Sequence, residues 1–450
     1  MNTCGVATAR FLCNFHGGCK TGGSGVYIHT VLQGESLWGI ARTYGGTAQD
    51  IARGNRLPTA NLVPGQTLLV PGGGNSYVVM PGDTVVTIAD NLDIPVQTLL
   101  MWNRRLATSP ILPFPGDILR IPKSSKMDIT VLGFLELLNS YLDQVHVAHF
   151  SPDSSYLALF GYGLSLSGNV LPAADAAALA ALRLQDALPT AVFANWTGEG
   201  FSPAAVHTVL CQASVRERYV RELLQVVDSH GYQAVVMDFE SIRPEDGESF
   251  VQLVRDIRSQ LPQGIPVWVA VMPVTGQEPP TDRVAEAYDY VALGRYADAL
   301  ILMAYNWSWA TGSPGPIAPF AKVEATIQYA LRSLSPTQLL LGVIRYGYDW
   351  ALPFHTGDMA ATVSAQDATG IAMTAQVPIQ FDSASLMPSF IYPLGDTQHY
   401  VSFEDARSMQ LKFQLVRKYG LAGVAPWQLG QRFPQFRPLL QQNFRIHKAK

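Results

Sequence analysis

The chain has 450 residues, 48% of them hydrophobic and 15% charged, with a formal net charge of −4. At ~150 residues per domain this length suggests about three domains, and a mildly acidic balance without a long basic run excludes a nucleic-acid partner. No apolar run approaches the roughly 18 residues of a bilayer span, so a core-rich globular protein is expected.

Residues 1–25, MNTCGVATARFLCNFHGGCKTGGSG, hold Cys4, Cys13 and Cys19; the fourth cysteine is Cys211. The segment has no apolar h-region and no twin arginine, so no secretory signal is read. A disulfide framework does not suit a chain of this size. With His16, the cysteine spacing matches no standard zinc pattern, and a flexible tail whose thiols are free or cross-link to neighbours is expected.

Two stretches then repeat at a period of about 50 residues. They are YIHTVLQGESLWGIARTYGGTAQDIARGNRLPTANLVPGQTLLVP and YVVMPGDTVVTIADNLDIPVQTLLMWNRRLATSPILPFPGDILRIP. Each reads as an alternating strand, a turn at Gly34 or Gly82, a short helix, a second helical stretch with Asn55 or Asn103, and a closing strand after a Pro-Gly turn. Ser36 and Thr84 precede apolar residues at helical spacing and are expected N-caps. Both copies resemble the lysin motif (LysM), a small βααβ module. The resemblance implies binding of N-acetylglucosamine-containing glycans such as peptidoglycan or chitin, in a groove between the loop after strand one and the loop before strand two. In copy one these are Gly34, Glu35, Ser36, Leu37, Leu62 and Pro64; in copy two, Gly82, Asp83, Thr84 and Phe114. Copy two departs at Val85-Val86, where copy one has Leu37-Trp38. The modules are expected at 26–72 and 77–122, with GGGNS (72–76) and KSSKM (123–127) as linkers.

From 128 to 446, apolar strand-like runs alternate with helical segments. The runs lie at 131–137, 157–163, 190–196, 234–240, 267–273, 300–307, 339–350 and 423–430. One unit shows the pattern. Ser214 with Glu217 reads as a capping box, Val220, Leu223, Leu224 and Val227 share one helical face, and Gly231 is placed to end the helix. Phe250, Leu253, Val254, Ile257 and Leu261 form the apolar face of the next helix. Eight such alternations predict an α/β (β/α)8 barrel of the TIM type. Residues 351–400, rich in Thr, Ser and Gln, are expected to form a small inserted β-rich subdomain over the active face, between strands seven and eight.

The fourth run, AVVMDFE, ends in charge. On a strand, alternate side chains share a face, so Ala234, Val236, Asp238 and Glu240 point into the barrel while Val235, Met237 and Phe239 pack outward. The two carboxylates then sit at the C-terminal rim, where barrel enzymes carry their sites.

Taken together, DFE after strand four, LMAYNW at strand six and GVAPWQLG at strand eight resemble glycoside hydrolase family 18, the chitinase-like barrels. HYVSFEDARSMQLKFQLVRKYGLAGVAPWQLG and MAYNWSWATGSPGPIAP are similar to the spore cortex-lytic N-acetylglucosaminidases, which also carry two LysM modules. The resemblance implies substrate-assisted, retaining hydrolysis of β-1,4 bonds beside N-acetylglucosamine, an exception to the two-carboxylate scheme. It places Glu240 as the acid, Asp238 as the residue that orients the 2-acetamido group, Tyr305 as the phenol on its carbonyl and Trp427 as the floor beneath the sugar. Gln233 and Val236 stand where the family has two further aspartates, and Asn306 where an acidic residue is common.

Other candidates are weaker. His146 and His149 lie in VHVAHFSP without helical periodicity or a carboxylate partner, so no metal site is read there. Glu136 could face the barrel centre or form a buried ion pair. Tyr346 and Tyr348 suit packing as well as function, and Asp349 and Trp350 could line the glycan groove. No cofactor and no metal are expected. Peptidoglycan is the expected partner, with coat proteins as candidate neighbours and the spore coat and cortex as the place of action. The alternatives are a catalytically silent glycan-binding coat protein, favoured only by loss of the acid, and a chitinase.

Overall fold

The computed structural model describes residues 25–108, 113–123, 125–138, 141–279 and 282–448. The expectations for Cys4, Cys13, Cys19 and His16 lie outside them.

Two antiparallel ribbons open the described chain. Val26–Thr30 pairs with Thr67–Pro71, and Asn75–Val78 pairs with Ile118–Ile121. Helices Leu37–Tyr44 and Ala48–Gly54 connect the first pair; Val85–Asn91, Val96–Trp102 and Arg104–Thr108 connect the second. Ser36 caps its helix by accepting from Gly39 N, and Thr84 does so in a capping box with Thr87. The repeated asparagines do the same work in both copies. Asn55 donates to Ile51 O and Leu69 O and accepts from Leu69 N; Asn103 donates to Leu99 O and Arg120 O and accepts from Arg120 N. Each buried amide thus ties a helix end to the closing strand, satisfying backbone groups that burial would otherwise leave costly. Within the expected linkers, Asn75 already begins a strand and Met127 begins the first strand of the barrel.

Eight parallel strands close on themselves: β1 (Met127–Glu136), β2 (Tyr156–Leu164), β3 (Leu188–Ala194), β4 (Ala234–Asp238), β5 (Val267–Val271), β6 (Ala299–Leu302), β7 (Leu339–Ile344) and β8 (Gly423–Trp427). Each pairs with its neighbour, and β8 pairs with β1 to complete the ring. Ala234 and Val236 lie in the small interior cluster with Leu132, Val192, Trp268 and Ile301. Val235, Met237 and Phe239 belong instead to the outer core, shared with the helices. Glycine 231 ends helix Ala213–His230 at a φ of 73°, as expected.

Three expectations fail. Ser214 and Glu217 make no capping box, because helix Ala213–His230 starts directly after helix Pro203–Cys211, with Gln212 at the boundary, so both residues lie inside the helix. His146 and His149 sit on a helix, Tyr141–Phe150, whose apolar pattern is weak because tertiary packing decides it. The expected run 339–350 is two strands, since β7 stops at Ile344 and Tyr346–Leu352 joins another sheet.

That second sheet is the insertion. Its five antiparallel strands run, in spatial order, Ala361–Ser364, Tyr346–Leu352, Thr397–Phe403, Met387–Leu394 and Gln380–Asp382. Helix Ala365–Ala375 lies across it, with Ala368, Ala372 and Met373 in the insert's core.

The two N-terminal modules are docked on the barrel. Helix Ala406–Tyr419, which leads into β8, is buried along most of its length. Gln414 accepts from Val78 N at 2.8 Å and donates to Val78 O at 2.7 Å. Gln435 donates to Asn55 Oδ1 and Thr67 O, and Gln442 accepts from Val26 N. Two-stranded ribbons leave unpaired edges, and these glutamine amides cover them. Val63 of the first module enters the insert's own core. Among the described residues, no helix is long and apolar enough to cross a membrane.

Candidate active site

β4 delivers Asp238 at its last position and the chain turns out of the barrel two residues later, at Glu240. Asp238 is only 5% exposed, and its Oδ1 has no hydrogen-bond partner among the described residues. Burial disfavours the charged form and pushes both carboxyls well above the ordinary range; for Glu240 the charge of Asp238 adds to the burial. The two titrate as one dyad, so near neutral pH a proton remains on the pair.

The backbone around Glu240 is fixed from two sides. Asn195, just beyond β3 and fully buried, donates to Glu240 O at 2.8 Å and accepts from Glu240 N at 2.7 Å. Tyr288 donates to Phe239 O at 2.8 Å. A cavity of about 470 Å³ opens beside the segment that follows, lined by Ser241, Ile242, Met272, Arg283 and Tyr288.

Tyr305 lies beyond β6, and its phenol is pushed far up by burial and by the charges of Asp238 and Glu240. It therefore stays a hydrogen-bond donor at any working pH. Gly342 on β7 makes room for it, since a Cβ there would come within 2.9 Å of the Tyr305 ring. Asn306 adopts a left-handed φ of 59°, a conformation asparagine tolerates, and its Oδ1 accepts from Tyr346 at 3.1 Å and Tyr348 at 3.4 Å. Trp427, at the end of β8, meets Phe134 and Phe160 edge to face at 5.7 and 5.2 Å, which sets the angle of its ring. Asp238, Glu240, Tyr305, Asn306 and Trp427 thus all come from C-terminal strand ends of one barrel. Such a site can hold a proton in an apolar setting, present a phenol donor and offer an aromatic surface.

Two expected groove residues are elsewhere. Trp350 is 0% exposed; its Nε1 donates to Gly312 O at 3.1 Å, so it supports the loop after β6 from within the insert. Asp349 is spent inside the same sheet, accepting from Tyr392 at 2.6 Å and His399 at 2.8 Å. Both corrections follow from the early end of β7. Glu136 is exposed and accepts from Gln428, so it forms no buried ion pair.

In the modules, Glu35 accepts from Leu32 N and His29, and Asp83 in the matching place accepts from Met80 N and Tyr77. Gly34 and Gly82 turn the chain beside them with φ of 82° and 83°. Leu37 is a correction: its side chain lies in the module core with Val31, Ile40 and Leu68, and Trp38, 67% exposed, is the apolar group at the surface. The loop with Leu62 and Pro64 abuts the insert, where Pro64 O accepts from Ile379 N at 2.9 Å. That wall of the first groove is an internal interface. Phe114 of the second module is 62% exposed.

Sequence reasoning missed Asn195 and Tyr288. Asn195 ends the apolar run TAVFAN, and the test that singled out Asp238, a polar residue at the C-terminal end of a strand, applies to it equally.

The chain matches Glycosyl hydrolases family 18 over residues 191–431, and the LysM domain over 29–71 and 77–122. It is 32% identical to the cortical fragment-lytic enzyme of Bacillus anthracis, over 94% of this chain and 99% of that one. The structure is similar to the Bacillus cereus spore cortex-lytic enzyme SleL, with a TM-score of 0.82 at 32% identity, covering 94% of this chain and 99% of that one. It is also similar to SleL of Bacillus megaterium QM B1551, with a TM-score of 0.79 at 29% identity, covering 95% and 100%. Chitinase from Chromobacterium violaceum, at 23% identity and a TM-score of 0.63 over 70% of this chain and 98% of that one, shares the barrel fold. The chain belongs to glycoside hydrolase family 18 and carries two LysM modules on its barrel.

Proposed function

We propose that this chain hydrolyses β-1,4 bonds beside N-acetylglucosamine in spore cortex peptidoglycan, as an N-acetylglucosaminidase. The observation that carries this reading is the buried Asp238 Oδ1, without a hydrogen-bond partner among the described residues, next to a carboxyl, Glu240, that burial and Asp238 keep protonated. Asp238 accepts the N–H of the substrate's 2-acetamido group and turns its carbonyl oxygen toward the anomeric carbon. Tyr305 donates to that oxygen, and Trp427 carries the apolar face of the sugar. As the acetamido oxygen bonds to the anomeric carbon, the glycosidic bond breaks and Glu240 gives its proton to the departing oxygen. Water then opens the cyclic intermediate, returning a proton to Glu240 and leaving the anomeric configuration unchanged.

The modules raise the enzyme's concentration at an insoluble polymer, and their docking fixes their orientation relative to the barrel mouth. Relatives named for cortex lysis support action at the spore cortex, and we propose the adjoining coat, with its proteins as neighbours, as the enzyme's location. Proton NMR of the first-formed product tests the chemistry. The β anomer is expected, and an initial α anomer would rule out substrate assistance.

A further inference from the structure

Three donor atoms outside the proposed hydrolytic residues converge between helix Pro203–Cys211 and the turn that follows β4. His207 and Cys211 are four residues apart on helix Pro203–Cys211, so they share one face. Asp246, buried, ends the short turn Pro244–Asp246 beyond β4. His207 Nδ1 lies 2.9 Å from both Asp246 oxygens, Cys211 Sγ lies 3.4 Å from His207 Nδ1, and Sγ lies 3.2 Å from Asp246 Oδ1. The edges of a tetrahedral zinc site with one sulfur, one nitrogen and one oxygen ligand are about 3.3–3.6 Å, given the usual zinc–ligand bond lengths. The triangle therefore needs to open by only a few tenths of an ångström.

A nucleophilic relay has a different shape. In a relay the acid and the nucleophile engage opposite nitrogens of the imidazole, whereas here Cys211 and Asp246 meet the same Nδ1.

We propose that His207, Cys211 and Asp246 form a zinc-binding site. Thiolate, imidazole and carboxylate together suit zinc over the oxygen-seeking cations. Three protein ligands leave the fourth position to water, and the exposed Cys211 leaves the ion a way in. On binding, the Cys211 S–H gives its proton to solvent, the His207 proton that faces Asp246 moves from Nδ1 to Nε2 through solvent, and the sulfur and Nδ1 take up the metal. The ion joins helix Pro203–Cys211 to the segment that follows Glu240, so its effect is on the rigidity of that segment.

The test uses the full chain with Cys4→Ser, Cys13→Ser and Cys19→Ser, which removes the other thiols. Titrating the metal-free protein with Co²⁺ should give a thiolate-to-cobalt charge-transfer band that saturates at one equivalent and is displaced by Zn²⁺. Adding Cys211→Ser should abolish the band, and His207→Ala should weaken binding. Zn²⁺ should raise the melting temperature only when Cys211 is present. A parent without the band, or a band that survives Cys211→Ser, overturns the site.

Discussion

Asn195 grips Glu240 by both of its backbone polar groups, accepting from the amide at 2.7 Å and donating to the carbonyl at 2.8 Å. One side chain just beyond β3 thus fixes the path of Glu240 as the chain leaves β4. Misplacing a catalytic group by about 1 Å can cost around 100-fold in rate. Asn195→Ala is expected to lower kcat about 10- to 100-fold with a smaller change in KM. Leaving those buried backbone groups unpaired should also cost about 1–3 kcal/mol. Steady-state kinetics on cortex fragments and a melting curve read the two effects; an unchanged kcat would show that Glu240 is positioned by other contacts.

Glu240→Gln should reduce the rate by roughly 10²–10⁴, the usual contribution of a general acid, and its stability should shift with a definite sign. Because the folded protein raises this carboxyl, it binds more protons than the unfolded chain from the ordinary carboxyl range (about 4) up to the raised value. Stability therefore falls as pH climbs through that window and stays lowered above it. The neutral glutamine escapes this loss, so the variant's melting temperature should gain on the parent's as pH rises from 4 to 9. A constant difference across that range would mean that Glu240 is not raised in the folded state.

Val236 lies directly inward of Asp238 on the same strand face, among Ala234, Val192 and Trp268. Val236→Asp places a third carboxyl beside the dyad, so the acidic limb of the pH–rate profile should move. Burying that group without a built partner should cost about 1–3 kcal/mol. A variant with the parental profile would separate Val236 from the dyad.

The docked modules give a prediction about stability. Gly65 has a φ of 82°, and a Cβ there would lie 1.7 Å from Ile379 O. Gly65→Ala should therefore loosen the contact between the first module and the insert and lower the melting temperature. Removing residues 1–123 uncovers helix Ala406–Tyr419 and takes Val63 out of the insert's core, so the isolated barrel should melt below the full chain. Equal melting temperatures would reduce the docking to a passive contact.

Much of this was readable from local pattern. The face alternation of AVVMDFE needs only the two-residue period of a strand, and the caps at Ser36, Thr84 and Gly231 need only side-chain chemistry at a helix end. The misread elements were decided by distant parts of the chain. Tyr346 to Trp350 continues β7 in composition, and only pairing with Thr397–Phe403 assigns it to a second sheet. Nothing in the first module's own sequence shows that Pro64 accepts a hydrogen bond from Ile379, more than 300 residues on. Asn195 is marked in the sequence only by its place at the end of an apolar strand, and its partner, the backbone of Glu240, carries no residue signature.

Mass spectrometry of purified cortex fragments digested by the parent and by Glu240→Gln tests most directly whether Glu240 drives cleavage after N-acetylglucosamine in cortex glycan. Products with N-acetylglucosamine at the reducing end are expected from the parent and should be all but lost with the variant. Products ending in reducing muramic acid, or a digest unchanged by Glu240→Gln, would contradict that expectation.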